Sequence, residues 1–206
     1  FNDNYFKDNT FYFFQSFIRA AFLEELFKLI VIVFFCTRKA DFDEPMDGLV
    51  YGVAASLGFA AYENIGYVLS YYEDPSFSIA IYRAFTAVPL HALCGIIMGF
   101  LITQSIFEKK YNYLNLILAL LVPVGLHGLY NFSYSSPSVS YQMANLVLFV
   151  SFLRVIFMFK NLKSKQTSGA ITNKKNYFIN INRFIQSTST VLLIYLVLLY
   201  LVNISS

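Results

Sequence analysis

Long apolar runs separated by short polar joints organise this chain, and the runs exceed the length of a strand or of a soluble helix's one-sided stripe. Crossing a bilayer takes roughly 20 largely apolar residues. Runs of that kind lie at about 12–37, 48–72, 77–107, 113–134, 139–160 and 188–204. They predict an all-α, polytopic membrane helix bundle with about six transmembrane helices in this chain. The third run is long for one straight crossing, and a kink at Pro89 or a tilt would absorb the excess. Residues 161–187 are rich in Lys, Asn, Ser and Thr and read as a polar cytoplasmic linker. The expected organisation is a membrane-embedded core over 1–160, this linker, and an additional anchor over 188–206. No internal repeat is evident.

Composition supports the bilayer as solvent: 57% of the 206 residues are hydrophobic and 13% charged, more apolar surface than a soluble fold of this size can cover. A net charge of +3 is too small to suggest nucleic acid. The basic residues instead orient the bundle. Arg38 and Lys39 follow the first run, Lys109 and Lys110 the third, and Lys160, Lys163, Lys165, Lys174, Lys175 and Arg183 the fifth. The alternate loops, 71–77 and 133–140, hold no Lys or Arg. Cytoplasmic loops are basic, so these three are expected inside and both ends of the chain outside, in a multi-pass protein of the cell membrane if bacterial. Cys36 and Cys94 both sit in apolar stretches, which excludes a disulfide scaffold or a thiolate zinc site. From the polar start at Phe1, without Met, the expectation is a fragment or processed chain, with at least one helix upstream.

The chemistry lies in polar residues placed in the wrong solvent. A charge at the centre of a membrane helix costs about 2.5–3.5 kcal/mol on insertion scales and usually marks function. Here Arg19, Glu24, Glu25 and Lys28 share the first run, Glu63 and Asn64 the second, Arg83 and His91 the third, and His127 and Asn131 the fourth. His91 and His127 are the only histidines. At a rise of about 1.5 Å per residue, Glu24, Glu63, His91 and His127 fall roughly 9–20 Å from the outer ends of their helices, within one layer. Phase agrees with depth. Glu24 and Lys28 are one turn apart and can pair, as are His127 and Asn131. Gly48, Gly52 and Ser56 form one small-residue ladder, and Gly95 and Gly99 follow His91 at intervals of four. Such spacing lets membrane helices approach closely.

Two histidines, three glutamates and an asparagine suit hydrolysis of an amide. A glutamate beside a histidine can activate water, directly or on a metal. A histidine with a nearby asparagine can stabilise an oxyanion, and two histidines with a carboxylate make a zinc set with an open position. No nucleophilic serine or cysteine setting, Gly-rich phosphate loop or HExxH stretch is present.

These residues resemble a known family. "EELFK" (24–28) resembles the EExxK motif of the PrsW-type intramembrane proteases, and "FAAYEN" (59–64) their FxxxE-N motif. "RAFTAVPLHALCGIIMG" (83–99) resembles the third motif, with its Arg and His, and "HGLYN" (127–131) the fourth, HxxxN. The resemblance covers 24–131. It is shared more widely with CAAX prenyl endopeptidases and bacteriocin-processing enzymes, in which a histidine commonly stands where Glu63 does. It implies an intramembrane endopeptidase acting on membrane-anchored proteins, anti-sigma factors being the best-known class. Glu24 and Glu25 would supply the water-activating carboxylate and a structural or metal-facing partner; Glu63, His91 and His127 would complete the surroundings of the water or metal. Asn131 would help His127 at the oxyanion. Lys28 and Arg83 would neutralise buried carboxylates, with Asn64 supporting. A divalent metal such as zinc, held among Glu25, Glu63, His91 and His127, and a metal-free glutamate mechanism both fit.

Blander readings attach to the same residues. Glu24, Glu25 and Lys28 could be a buried pair that only fixes helix register, Asn131 could bond a neighbouring helix, and Arg19 could snorkel or pair locally. Whole-protein rivals are an ion- or solute-coupled transporter, a non-catalytic membrane scaffold, and an enzyme acting on prenylated or lipidated peptides. A transporter would show inverted repeats or broken helix pairs, which the sequence lacks.

Overall fold

The computed structural model describes residues 9–70, 76–107 and 112–167, all helices and short joints, with no strand among them. They belong to the first of two compact units, Phe1–Asn173; Lys174–Ser206 is the second. The expected sixth span, most of the linker and the basic residues from Lys174 onward lie outside the described residues, as do Lys109 and Lys110.

Helix α1 begins at residue 9 and includes three consecutive segments: a widened Phe14–Phe22, an α-helical Leu23–Val31 and a second widened Ile32–Cys36. The wide winding is visible where it ends: the Thr37 amide donates to the Ile32 carbonyl five residues back, at 3.0 Å. Such turns are rare and tend to occur at functional sites. Here they flank the one α-helical stretch that carries Glu24, Glu25 and Lys28.

After a short joint, α2 runs Pro45–Ser70. Pro45 suits a first helical position, where its missing N–H is no loss. Asp47 accepts the amides of Asp43 and Glu44 at 2.9 and 2.7 Å, which gives one acid of the joint a capping role. Phe42 is fully buried from the same joint and stacks on Tyr51 and Phe107.

The expected third span is two helices, α3 (Ser76–Phe85) and α4 (Ala87–Phe107), broken at Thr86. Pro89 explains the position. Its nitrogen has no hydrogen for the Phe85 carbonyl four residues back, and its ring crowds that carbonyl. Helix α5 (Asn112–Ser135) and helix α6 (Gln142–Thr167) follow. The latter continues through 161–167, so the start of the expected linker is helical. Among the described residues, three stretches are long and apolar enough to cross a membrane: Ser78–Phe107, Tyr113–Ser135 and Gln142–Lys165. Helices α1 and α2, which carry charged site residues, are not among these three.

The packing is that of a protein in lipid. Large hydrophobic residues such as Phe85, Phe149 and Phe157 are exposed, while Glu25, Lys28, His91 and His127 are buried. The closest approach is between α2 and α4, along the ladder predicted by spacing. A methyl group on Gly52 would collide with the Gly95 carbonyl, one on Gly95 with Gly52 and Ser56, and one on Gly99 with the Gly48 carbonyl. Backbones this close maximise dispersion contact, which drives helix association where lipid offers no hydrophobic gain. Helix α5 meets α1 similarly: Gly128 leaves room for the Phe17 ring, and Ser16 and Ser135 hydroxyls bond at 3.1 Å.

Gly52→Ala is expected to lower stability by about 1–3 kcal/mol, because the intruding methyl meets backbone that cannot turn aside. Gly58→Ala, where the added carbon meets open space, should be neutral or gain up to about 1 kcal/mol. Denaturant unfolding of the purified protein in detergent measures both.

Candidate active site

The site assembles around Lys28, whose relative exposure is 2%. Its ammonium has donors only. It donates to Glu25 Oε1 at 2.6 Å and to His91 Nδ1 at 2.8 Å, and the Phe59 ring lies 5.1 Å from Nζ. The pairing differs from the sequence reading, which placed Glu24 with Lys28. Positions three and four apart on a helix are both neighbours, and the bond to His91 draws Nζ to the buried side, where Glu25 stands.

Donor and acceptor logic then fixes both histidines. His91 Nδ1 accepts from Lys28, so its ring proton sits on Nε2, which donates to Glu63 Oε2 at 2.9 Å. His127 Nδ1 lies 2.8 Å from Glu25 Oε1. A carboxylate only accepts, so Nδ1 carries a proton, and in the neutral ring Nε2 keeps a free lone pair. That lone pair is 3.8 Å from Glu24 Oε2. Glu24 Oε2 is itself buried with no hydrogen-bond partner among the described residues. The two imidazoles meet edge to face, with centroids 4.9 Å apart.

A continuous chain thus runs Glu63–His91–Lys28–Glu25–His127 through α1, α2, α4 and α5, and stops short of Glu24. Its far end is held by Arg83. The guanidinium places Nη2 2.8 Å from Glu63 Oε2, an ion pair not aligned as a hydrogen bond, while Nε donates to Asn64 Oδ1 at 2.7 Å. The same group stacks 3.8 Å above the Tyr67 ring. Three carboxylates face two permanent cations. Glu24 is the one that no lysine or arginine among the described residues contacts as an ion pair.

The donors that converge with a free position are Glu24, His91 and His127, one ligand atom from each lying within 4.8 Å of the others. Glu25 and Glu63, named with the histidines from sequence, stand behind them, each bonded to a ring nitrogen. This set fits a divalent cation on three counts: the orphaned Glu24 oxygen, the free lone pair of His127, and the surplus negative charge. Glu25 would then serve as the carboxylate that orients a ligating histidine. His91 offers a nitrogen only by exchanging its proton or its bond to Lys28.

Asn131 lies one turn beyond His127 on α5, half-buried; Ser135 donates to its backbone carbonyl, and its side chain has no hydrogen bond among the described residues. Arg19 bonds Gln15 at 3.3 Å, the local pairing anticipated for it. Sequence reasoning quoted Phe59 only as part of a motif and gave it no role, and it missed Tyr67 and the Tyr82–Tyr134 hydroxyl pair, bonded at 2.7 Å. Aromatic residues are too frequent here to single out, although Phe59 and Tyr67 each lie four residues from Glu63, on the same helix face.

Removing one partner from a buried ion pair leaves the other uncompensated, at a cost of about 3–5 kcal/mol. Glu25→Ala is therefore expected to destabilise by that order. Glu24→Gln should stay within about 1 kcal/mol, since its outer oxygen has no partner to lose. Parallel unfolding curves measure the difference.

The model of the PrsW family intramembrane metalloproteases matches residues 3–158. "Protease PrsW" of Oceanobacillus iheyensis is 42% identical over 120 residues, which is 58% of this chain and 54% of that protein. The Bacillus subtilis protein of the same name is 42% identical over 121 residues, with the same two shares. The Clostridioides difficile one is 31% identical over 172 residues, 82% of this chain and 69% of its own length. The chain thus spans about half the length of the first two relatives. No solved structure matches it. Matched over most of its length by the family's model, and carrying the four motif stretches, this integral membrane chain belongs to the PrsW family.

Proposed function

We propose that this protein is an intramembrane endopeptidase that hydrolyses peptide bonds of membrane-anchored proteins, anti-sigma factors being the substrate class the resemblance suggests. The observation that carries the reading is the gap between Glu24 Oε2 and His127 Nε2: two acceptors, 3.8 Å apart, neither hydrogen-bonded to protein among the described residues. A water between them donates one proton to each. Glu24 takes a proton as the oxygen attacks the scissile carbonyl and returns it to the leaving amine. Glu25 holds His127 in the tautomer that presents its lone pair, so it positions and does not react. Asn131, whose side chain makes no hydrogen bond among the described residues, stabilises the oxyanion with its amide N–H, while His127 accepts from the water. Lys28, Arg83 and Asn64 keep Glu25, Glu63 and His91 in register.

A divalent metal held by Glu24, His91 and His127 would polarise the carbonyl and acidify the water. The family's description as metalloproteases supports that version. The placement of the protein follows from its charges: six spans, the last over 188–204 as an anchor, basic loops in the cytoplasm, and both ends of this chain outside.

Cleavage of a tagged single-span reporter in membranes, at matched protein levels, tests the reading. Glu24→Gln is expected to lose about 10²–10⁴-fold in rate while keeping its stability. Glu24→Gln cutting as fast as wild type would reject Glu24 as the base, and no cleavage by wild type would return the transporter or scaffold to contention.

A further inference from the structure

Away from the active site, α4, α5 and α6 part around a cavity of about 300 Å³. Its floor includes Ile97, Leu101 and Met158, all buried, and its mouth includes Val122 and Val150, both exposed. One charged side chain lines it, Arg154. The cavity lies along the middle of α4 and α6. Leu101 is six residues, about 9 Å, before the end of α4, and Arg154 the same distance before Lys160, the first of the lysines Lys160, Lys163 and Lys165 on α6.

The arginines of the described residues separate sharply. Arg19 bonds Gln15, Arg38 covers Phe34, and Arg83 is held by Glu63, Asn64 and Tyr67. Arg154 alone among them has no protein hydrogen bond, ion pair or ring contact. A guanidinium at membrane depth needs a counter-charge, and its planar fork matches a phosphate. The apolar hollow beside it is too narrow for a helix, which is about 10–12 Å across with side chains. Left empty, it would forfeit dispersion contacts on every wall.

We propose that this crevice is a binding site for an anionic phospholipid, one acyl chain filling the hollow and the phosphate resting on Arg154. The lysines that follow on α6 favour a net negative headgroup over a zwitterionic one. The site is independent of the protease reading, because its occupancy is measured without any substrate.

Native mass spectrometry of the full chain, titrated with phosphatidylglycerol and with phosphatidylcholine of identical chains, tests it. Wild type should retain phosphatidylglycerol about tenfold more tightly, and Arg154→Gln should abolish that preference. Arg154 is exposed, so the variant is expected to fold. Leu118→Phe, which narrows the hollow from α5, should weaken both lipids while keeping their order. An unchanged preference in Arg154→Gln, with loss only in a Lys160→Gln/Lys163→Gln variant, would overturn the proposal in favour of a diffuse basic surface.

Discussion

The bond between Lys28 and Glu25 is the constraint on which the rest of this bundle depends. Neither group is accessible to water, and neither is tolerable there alone: a buried pair is favourable only when further hydrogen bonds satisfy what remains. Glu25 Oε1 therefore also takes the His127 proton, and Lys28 gives a second hydrogen to His91. Each requirement recruits another helix. The result is a polar core in which α1 is tied to α4 and α5 by charge-assisted bonds, and α4 to α2 through Glu63. The polarity of the chain is directional. Lysine can only donate and carboxylate only accept, so both tautomers follow from that one contact, and the free lone pair of His127 faces Glu24.

Close packing makes this geometry reachable. Hydrogen bonds of 2.8–2.9 Å between helices demand backbones held at short separation. The interlocked Gly48–Gly52–Ser56 and Gly95–Gly99 faces supply it for α2 and α4. Polar cluster and glycine ladder are complementary: the ladder fixes distance, and the cluster fixes rotation and depth.

Much of this was legible in the sequence because membranes make local signals strong. Apolar runs located the helices of the described core, the four-residue spacing of small residues marked faces suited to close approach, and Pro89 offered a kink as one way to absorb the length of the third run. What escaped depended on contacts between distant positions. Whether Lys28 chooses Glu24 or Glu25 cannot be settled by helix geometry, since both neighbour it; His91, 63 positions away, decides. The stacking of Arg83 on Tyr67 depends on how α3 lies against α2 after the break at Thr86. The extension of α6 to Thr167 escaped because Lys, Asn and Gln continue a helix as readily as they populate a linker.

The ladder on α2 also makes the number of residues a coded quantity. Gly52 and Glu63 share a face because eleven residues, the difference of their positions, bring a helix back to within about 20° of its starting direction. Inserting or deleting one residue between them would swing the carboxylate by about 100° and carry it away from His91. On the lipid-facing side, one apolar residue can replace another freely during divergence. Between these two positions the count itself is set by geometry, and a single-codon insertion there would break the Glu63–His91 bond as surely as losing the glutamate.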